Sequence, residues 1–529
     1  MTNPRPTNPD RTRNPLKFLG AAFTGVLIVL AFPRYGFEVG LDWISWFALV
    51  PLFFVAVGSG GWRGAVLGWA SGLTLESGGF IWILVAIRRF TELPDAISSS
   101  LFLGWLLYAS LPWAALGLAL GRCRRPAGVL WVLPLWVGVE YYFPRLFPWT
   151  LGGAFYGREW LVQNADLLGV SGLTALVFLG NVAVFLLVGF FRKKHSFPVK
   201  TLVGFVAMLV AALIYGRFRL AEIEGVEAVA PTFDVACIQG ARVEKRRSAP
   251  EDLAAYLGMS LKVQETAPVD LVVWPEGADP YAFDLTPGND PWRGHRRDRS
   301  DPEVLLRDAL PVPLVTGGTG YRADRALHWS GLAAYLRPGK KPLFYEKNVR
   351  LLFGEYVPFG ELIPQSWRDA LGIRVATVAA GKTNPSFQLQ GSSFKNLICY
   401  EAVLPDYFRA AASGVDFLIN ITEDIWYGRT SHITQHASVL ILRVVENRTP
   451  LVRATNMGPS GVIDISGRFR HVEKIFAPDV FVGPLRAGST GTFYRSAGHL
   501  FPFAMLLLVV GRWALLRFFF TNGKKFATL

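Results

Sequence analysis

The chain has 529 residues, of which 51% are hydrophobic and 18% charged, and its formal net charge is +14. A soluble protein of this size carries more charge, so the composition calls for membrane segments. Three cysteines are too few for a disulfide framework, and many of the surplus Lys and Arg flank apolar segments, as the positive-inside rule requires, which argues against nucleic acid as a partner.

Residues 1–15 are polar, carry Arg5, Arg11 and Arg13, and read as a cytoplasmic tail. Apolar segments follow at about 16–32, 43–58, 64–87, 97–121, 127–143, 170–191 and 201–216, each near or above the length that crosses a bilayer core. The first lacks a small-residue cleavage site and reads as an anchor. An eighth segment lies near 499–520. Basic loops at 122–125 and 192–194, the N-terminal tail and Lys524-Lys525 fall on one side by this count, which makes that side cytoplasmic; Arg88-Arg89 dissents. The expected layout is therefore a seven-helix membrane domain over 16–219, a globular domain over 220–490 on the outer side, in a periplasm or its equivalent, and an eighth helix with a cytoplasmic tail over 491–529. Glu76 lies within the third apolar segment. It is either a functional group, as intramembrane carboxylates often are, or a Glu turned toward other helices.

The globular block alternates strands and helices. Strands are expected at 233–238, 271–274, 314–316, 394–398, 417–420, 451–454 and 461–464, with a hairpin from 333–335 and 343–345, and helices at 251–265 and 432–447. This is an α/β pattern whose polar residues collect at strand ends.

Three of those ends carry chemistry: Trp274-Pro275-Glu276, Tyr345-Glu346-Lys347 and Ile398-Cys399-Tyr400-Glu401. Converging from strand ends of one sheet, Glu276, Lys347 and Cys399 would supply a base, a stabiliser of anionic oxygen and sulfur, and a nucleophile. Taken singly, each has a plainer reading: a surface Glu, a solvated Lys, a core Cys.

The joint pattern resembles the nitrilase superfamily: Trp-Pro-Glu, then Lys347, then Gly354-Glu355-Tyr356-Val357-Pro358-Phe359, then Cys-Tyr-Glu. With the apolar helices, Phe147-Pro148-Trp149, the run Asn164-Ala165-Asp166 through Gly172-Leu173, and Pro450-Leu451-Val452-Arg453-Ala454-Thr455-Asn456, it resembles the apolipoprotein N-acyltransferases over nearly the whole chain. That resemblance implies a nitrilase-like αββα sandwich inserted between helices seven and eight of an eight-helix membrane domain. It implies Glu276 as general base, Lys347 as oxyanion stabiliser and Cys399 as nucleophile, with Glu355, Tyr400 and Glu401 in support. It implies a phospholipid acyl donor, a Cys thioester, and a diacylglyceryl-apolipoprotein acceptor whose N-terminal amine takes the chain, with no metal and no organic cofactor.

The stretch 359–373 carries Phe359, Leu362, Ile363 and Trp367 among few charges. It suits a lipid-facing lid, or an ordinary amphipathic helix. Ser248, Leu352 and Glu423 depart from the family pattern, as does His328-Trp329-Ser330. His432 and His436 have zinc-helix spacing without the intervening Glu, so a structural or pocket-wall role is expected. A disulfide between Cys237 and Cys399 would silence the nucleophile and is not expected. Two rival functions stay open: a membrane-tethered nitrilase-type amidase, and a noncatalytic lipoprotein-binding paralogue.

Overall fold

Short apolar runs bounded by Gly, Pro and polar residues set the strands after residue 230. The computed structural model describes residues 14–33, 41–90, 93–240, 249–292, 310–324, 329–352, 354–357, 360–366 and 378–526. A first sheet contains β1 (Thr232–Gln239), β2 (Leu271–Val273), β3 (Ala282–Asp284), β4 (Leu314–Tyr321), β5 (Trp329–Leu336) and β6 (Leu343–Glu346). A second contains β7 (Phe387–Leu389), β8 (Ser392–Ile398), β9 (Phe417–Thr422), β10 (Leu451–Thr455), β11 (Gly461–Ile463) and β12 (Phe469–His471), and β13 (Asp479–Arg486) returns to the first. The orders are β13-β1-β2-β4-β5-β6, with β3 beside β4, and β12-β11-β10-β9-β8-β7. β1, β2 and β4 run parallel, as do β8, β9 and β10, so in each sheet the C-terminal strand ends share a rim.

Alternation along the strands sends side chains to two different cores. Val235, Cys237, Val273 and Val315 meet Phe394, Phe417, Ile419 and Val452 between the sheets. The outer face of the first sheet, with Ala236, Ile238, Val272 and Trp274, is covered by the helix Ala249–Thr266 through Leu253, Tyr256 and Leu257. The outer face of the second, with Leu397, Leu418 and Ile463, is covered by the helices Pro405–Ala412 and His432–Asn447. The layers are helix, sheet, sheet, helix.

The second helix layer is also where the membrane part begins. Leu440 and Val444 belong to the same apolar core as Phe53, Trp113, Leu173 and Val177, and every residue of His432–Asn447 is buried. Among the described residues, four helical stretches are long and apolar enough to cross a membrane: Asp95–Arg122, Ala165–Phe191, Val199–Val229 and Gly498–Leu515. The helices Gly61–Gly79 and Trp82–Phe90 qualify only as a pair, bent by 57°, and Pro15–Ala31 and Asp42–Ala56 are shorter. Small residues let the helix Gly61–Gly79 pack closely on its neighbour: a Cβ on Gly64 would lie 2.2 Å from the Gly117 carbonyl oxygen.

The structure departs from the sequence reading in several places. The third apolar segment is broken at Phe80-Ile81, because a tertiary partner takes up the backbone freed there. Gln435 donates to the Gly79 carbonyl at 3.1 Å and accepts from Trp82 Nε1 at 2.9 Å. The helix from Val199 runs on to Val229, past its apolar window, on good helix formers such as Arg217, Arg219, Glu222 and Glu224. Strands β3, β7, β12 and β13 were not anticipated; β13 is half-buried, so it lacks a clean apolar run. Glu76 and Glu140 are both buried and both feel the charge of Arg145, whose Nη1 donates to the Trp149 carbonyl at 2.8 Å. The carboxylate of the third apolar segment therefore faces other helices, with a cation nearby.

A second polar cluster ties the sandwich to the helices. Asp166 accepts from Tyr215 and Arg219 at 2.7 Å and from Arg448 at 2.9 Å, and Arg448 is fully buried. Removing one partner of a buried ion pair strands the other charge. Asp166→Ala should therefore cost about 3–5 kcal/mol, read as a lower melting temperature in detergent. Glu222→Ala removes only the exposed partner of Arg219 and should cost at most about 1 kcal/mol.

Candidate active site

Pro275 ends β2, and the turn it begins crosses close over β4. A Cβ on Gly317 would fall 2.4 Å from the Glu276 Cα, so only glycine lets this crossing form. The turn aims Glu276 along the rim. Its Oε1 accepts from Lys347 Nζ at 3.1 Å, and its Oε2 accepts from the Glu423 backbone N–H at 3.1 Å. Lys347 follows β6, with its own N–H held by the Gly331 carbonyl at 2.9 Å. Its side chain is 2% exposed, and its ammonium also donates to Glu355 Oε1 at 2.6 Å. Glu355 is oriented in turn by the Leu351 N–H at 2.7 Å.

Cys399 ends β8 in the left-handed region, at φ 52°, a strained conformation for a residue with a Cβ. It is buried and free, as is Cys237 inside β1. Glu401 builds the turn. Its Oε1 accepts from the Asn348 and Val349 N–H groups at 2.7 and 2.9 Å, and its Oε2 from the Ile398 N–H at 2.8 Å and the Tyr345 hydroxyl at 2.7 Å. One carboxylate thus clamps the segment after Lys347 to the turn of Cys399. Tyr400 is half-buried and lies near Tyr356.

The electrostatics follow from burial. The Cys399 thiol is pushed up to about 12 by burial and then by Glu276, with Lys347 pulling the other way. Glu276 is raised by burial and by Glu355, against Lys347 and the Glu423 N–H. Burial works to discharge Lys347, yet Glu276, Cys399 and Glu355 hold its ammonium well above the usual lysine value.

The three residues do not come from one sheet. Glu276 and Lys347 follow strands of the first sheet and Cys399 a strand of the second, and face-to-face packing brings the two rims together. Of the lid residues, Leu362 is 79% exposed at the end of the 3-10 turn Gly360–Leu362 and Ile363 is half-buried, while Phe359 and Trp367 lie outside the described residues. Ser248 and His328 also lie outside them. Asn456 and Glu423 complete the site in a way the sequence reading missed. Asn456 Nδ2 donates to the Glu276 carbonyl at 3.1 Å and to the Glu423 carboxylate. Both stand directly after strands β9 and β10, so the strand-end rule that singled out the other three would have found them.

Ligand atoms of Asp424, His432 and His436 lie within 4.8 Å of one another. Asp424 is already committed to Arg453 at 2.8 Å, Thr455 at 2.9 Å and His436 Nδ1 at 3.2 Å. A metal ion would face the Arg453 guanidinium. Burial keeps both imidazoles below the usual histidine value, and His432 stacks on Tyr427 with ring centroids 3.5 Å apart. The pair forms a buried wall.

A two-sheet α/β sandwich is thus joined to helices long and apolar enough to cross a membrane. Residues 24–183 match the apolipoprotein N-acyltransferase N-terminal domain, and residues 234–473 match the carbon-nitrogen hydrolase family. The chain is 32% identical over 502 residues to the apolipoprotein N-acyltransferase of Geobacter metallireducens, with 92% of each covered. It is 27% identical over 481 residues to that of Bdellovibrio bacteriovorus, with 84% of each covered. An amidase of the nitrilase superfamily from Nesterenkonia AN1 aligns with a TM-score of 0.37 at 17% identity, covering 51% of this chain and 96% of the amidase. The chain belongs to the apolipoprotein N-acyltransferase family, acyltransferases of lipoprotein maturation.

Glu401→Gln keeps the shape but turns one acceptor oxygen into a donor facing N–H and O–H groups. The acyl-transfer rate should fall at least tenfold, since misplacing reacting groups by about 1 Å can cost ~100-fold. Tyr345→Phe removes one donor, should cost about 0.5–1.5 kcal/mol of stability, and should keep a larger share of the rate; melting curves and initial rates on the same preparations check both.

Proposed function

We propose that this chain moves an acyl chain from a phospholipid, through a thioester on Cys399, to the α-amine of an N-terminal S-diacylglyceryl cysteine on an apolipoprotein. The observation that carries the reading is the Lys347 ammonium held between Glu276 and Glu355, on a rim shared with the strained Cys399 turn. In this reading residues 16–219 form a seven-span membrane domain, 220–490 the catalytic domain, and 491–529 an eighth span and tail. The catalytic domain lies on the periplasmic face of a bacterial inner membrane.

The resting thiol is protonated, so attack needs a base. Glu276 takes the thiol proton as Sγ adds to the ester carbonyl, and Lys347 stabilises the oxyanion. Collapse of the intermediate releases the lysophospholipid alkoxide, which receives the proton from Glu276. The acceptor amine then adds to the thioester, Glu276 takes its proton, and the Cys399 thiol departs reprotonated. Glu355 holds Lys347, Glu401 holds the turn, and Tyr400 flanks the nucleophile. Leu362 and Ile363 belong to an apolar lip that admits lipid and keeps water from the thioester.

Mass spectrometry tests the reaction. Purified protein exposed to phospholipid should gain one acyl chain on Cys399, and a diacylglyceryl peptide should clear it. An unmodified Cys399 during continued lipoprotein acylation would sink the mechanism. Hydrolysis of soluble amides instead would favour the tethered amidase, and full function of Cys399→Ala in cells would favour a noncatalytic paralogue.

The pH dependence has a fixed sign. Glu276 works as a carboxylate and its value is raised above the ordinary 4.5. The rate should therefore fall with acid through a limb above the usual carboxylate range, read from kcat/KM against pH.

A further inference from the structure

Arg89 is one of the two basic residues that dissent from the positive-inside count of the sequence. Arg88 has a surface explanation, an exposed pair with Asp95 at 3.1 Å. Arg89 does something else. It stands, exposed, in the last turn of Trp82–Phe90, beyond the break in the third apolar segment, and its Nη1 donates to the Ile425 carbonyl at 2.8 Å. Ile425 belongs to the 3-10 turn Ile425–Tyr427 that follows β9.

That turn connects to the active site by consecutive hydrogen bonds. The Ile425 N–H donates to Glu423 Oε1 at 3.2 Å, and the Glu423 N–H donates to Glu276 Oε2 at 3.1 Å. Asn456 holds the other Glu423 oxygen and the Glu276 carbonyl. The seat for the guanidinium is shaped for it: Gly428 has φ +60°, and a Cβ there would lie 3.1 Å from Arg89 Nη2. The far side of the same contact is fixed by Gln435, which bridges Trp82 and Gly79 across the helix break. Tyr427 packs edge-on against Trp82, with ring centroids 5.3 Å apart.

We propose that Arg89 is a positioning residue for the acyl-transfer reaction, setting the Glu276 carboxylate through the 423–427 turn, so that the outer arm of a broken membrane helix tunes the base. The inference rests on the reading of Glu276 as that base. A backbone N–H donated to the ionised carboxylate favours the ionised form. Losing the arginine frees the turn, weakens that donation, and leaves less carboxylate at a given pH.

The test is kcat and kcat/KM against pH for the full-length protein in phospholipid vesicles carrying a diacylglyceryl peptide acceptor. Arg89→Ala should lower kcat by about tenfold and move the acid limb up by roughly half to one pH unit, with little change in KM for the phospholipid. Arg89→Lys, which keeps a donor, should recover part of both. Gly428→Ala, which crowds the guanidinium from the other side, should move the limb the same way, and Arg88→Ala should leave it in place. Yield of each variant in the membrane fraction separates misfolding from mispositioning, and Arg89→Lys and Gly428→Ala keep the question answerable if Arg89→Ala does not accumulate. An Arg89→Ala enzyme within twofold of the parent, or one slowed with its acid limb unmoved, overturns the proposal. Glu276→Gln separates the two readings: if it stays active, the base assignment fails; if it is dead while Arg89→Ala is silent, only the role of Arg89 fails.

Discussion

The interaction on which the site depends is one ammonium buried against two carboxylates. Lys347 is almost wholly out of water, where an unpaired charge is very costly. Glu276 and Glu355 keep it charged, and when all three are ionised they sum to +1 − 2 = −1. A thiolate added to that set would be a third anion in a low-dielectric site. The buried thiol therefore rests protonated, and in the proposed mechanism sulfur becomes a nucleophile only as a carboxylate accepts its proton. This differs from cysteines lowered outright by a helix N-terminus or a histidine cation. In the proposed mechanism it also protects the nucleophile, since a protonated thiol reacts slowly with adventitious electrophiles.

The same constraint explains why so much of the surrounding structure is polar and buried. Glu401 satisfies four donors at once and thereby fixes the distance between two chain segments some fifty residues apart. Asp424 and Arg453 pair without solvent below the rim. Asp166 and Arg448 pair at the opposite end of the helix His432–Asn447. That helix touches the membrane part at both ends, by Gln435 near its start and next to Arg448 just past its end. A fully buried helix anchored twice transmits position with little give, because packed cores are stiff.

The sequence was most legible where a single local rule sufficed. Apolar runs located the central strands and the helix 432–447, and strand ends located Glu276, Lys347 and Cys399. What stayed hidden depended on partners far away in the chain. The break at Phe80-Ile81 is invisible in an apolar run, since it exists only because Gln435 satisfies the freed groups. β13 is half-buried and pairs with β1, more than two hundred residues earlier, so no local periodicity marks it. The convergence of two rims, where one sheet was expected, came from face-to-face packing that no strand encodes alone. The left-handed turn at Cys399 has no glycine to announce it.

Hydrolases and transferases that share a sandwich and an acyl-enzyme differ in which nucleophile reaches the second step. Water at about 55 M competes with any amine, so a transferase must exclude it or raise the local concentration of its acceptor. Here the outer layer of the second sheet is not exposed to solvent. It is buried in a core continuous with apolar helices, and Trp82, Phe147, Tyr427 and His432 meet edge to face or stacked beneath the rim. A wall of packed rings on that side disfavours the approach of water from below. In the proposed reaction a lipid-anchored amine confined to the bilayer surface would reach the rim in two dimensions, at an effective concentration no soluble amine attains. Selectivity for aminolysis can therefore arise from where the sandwich is mounted, with the same catalytic groups that in a free sandwich would serve water.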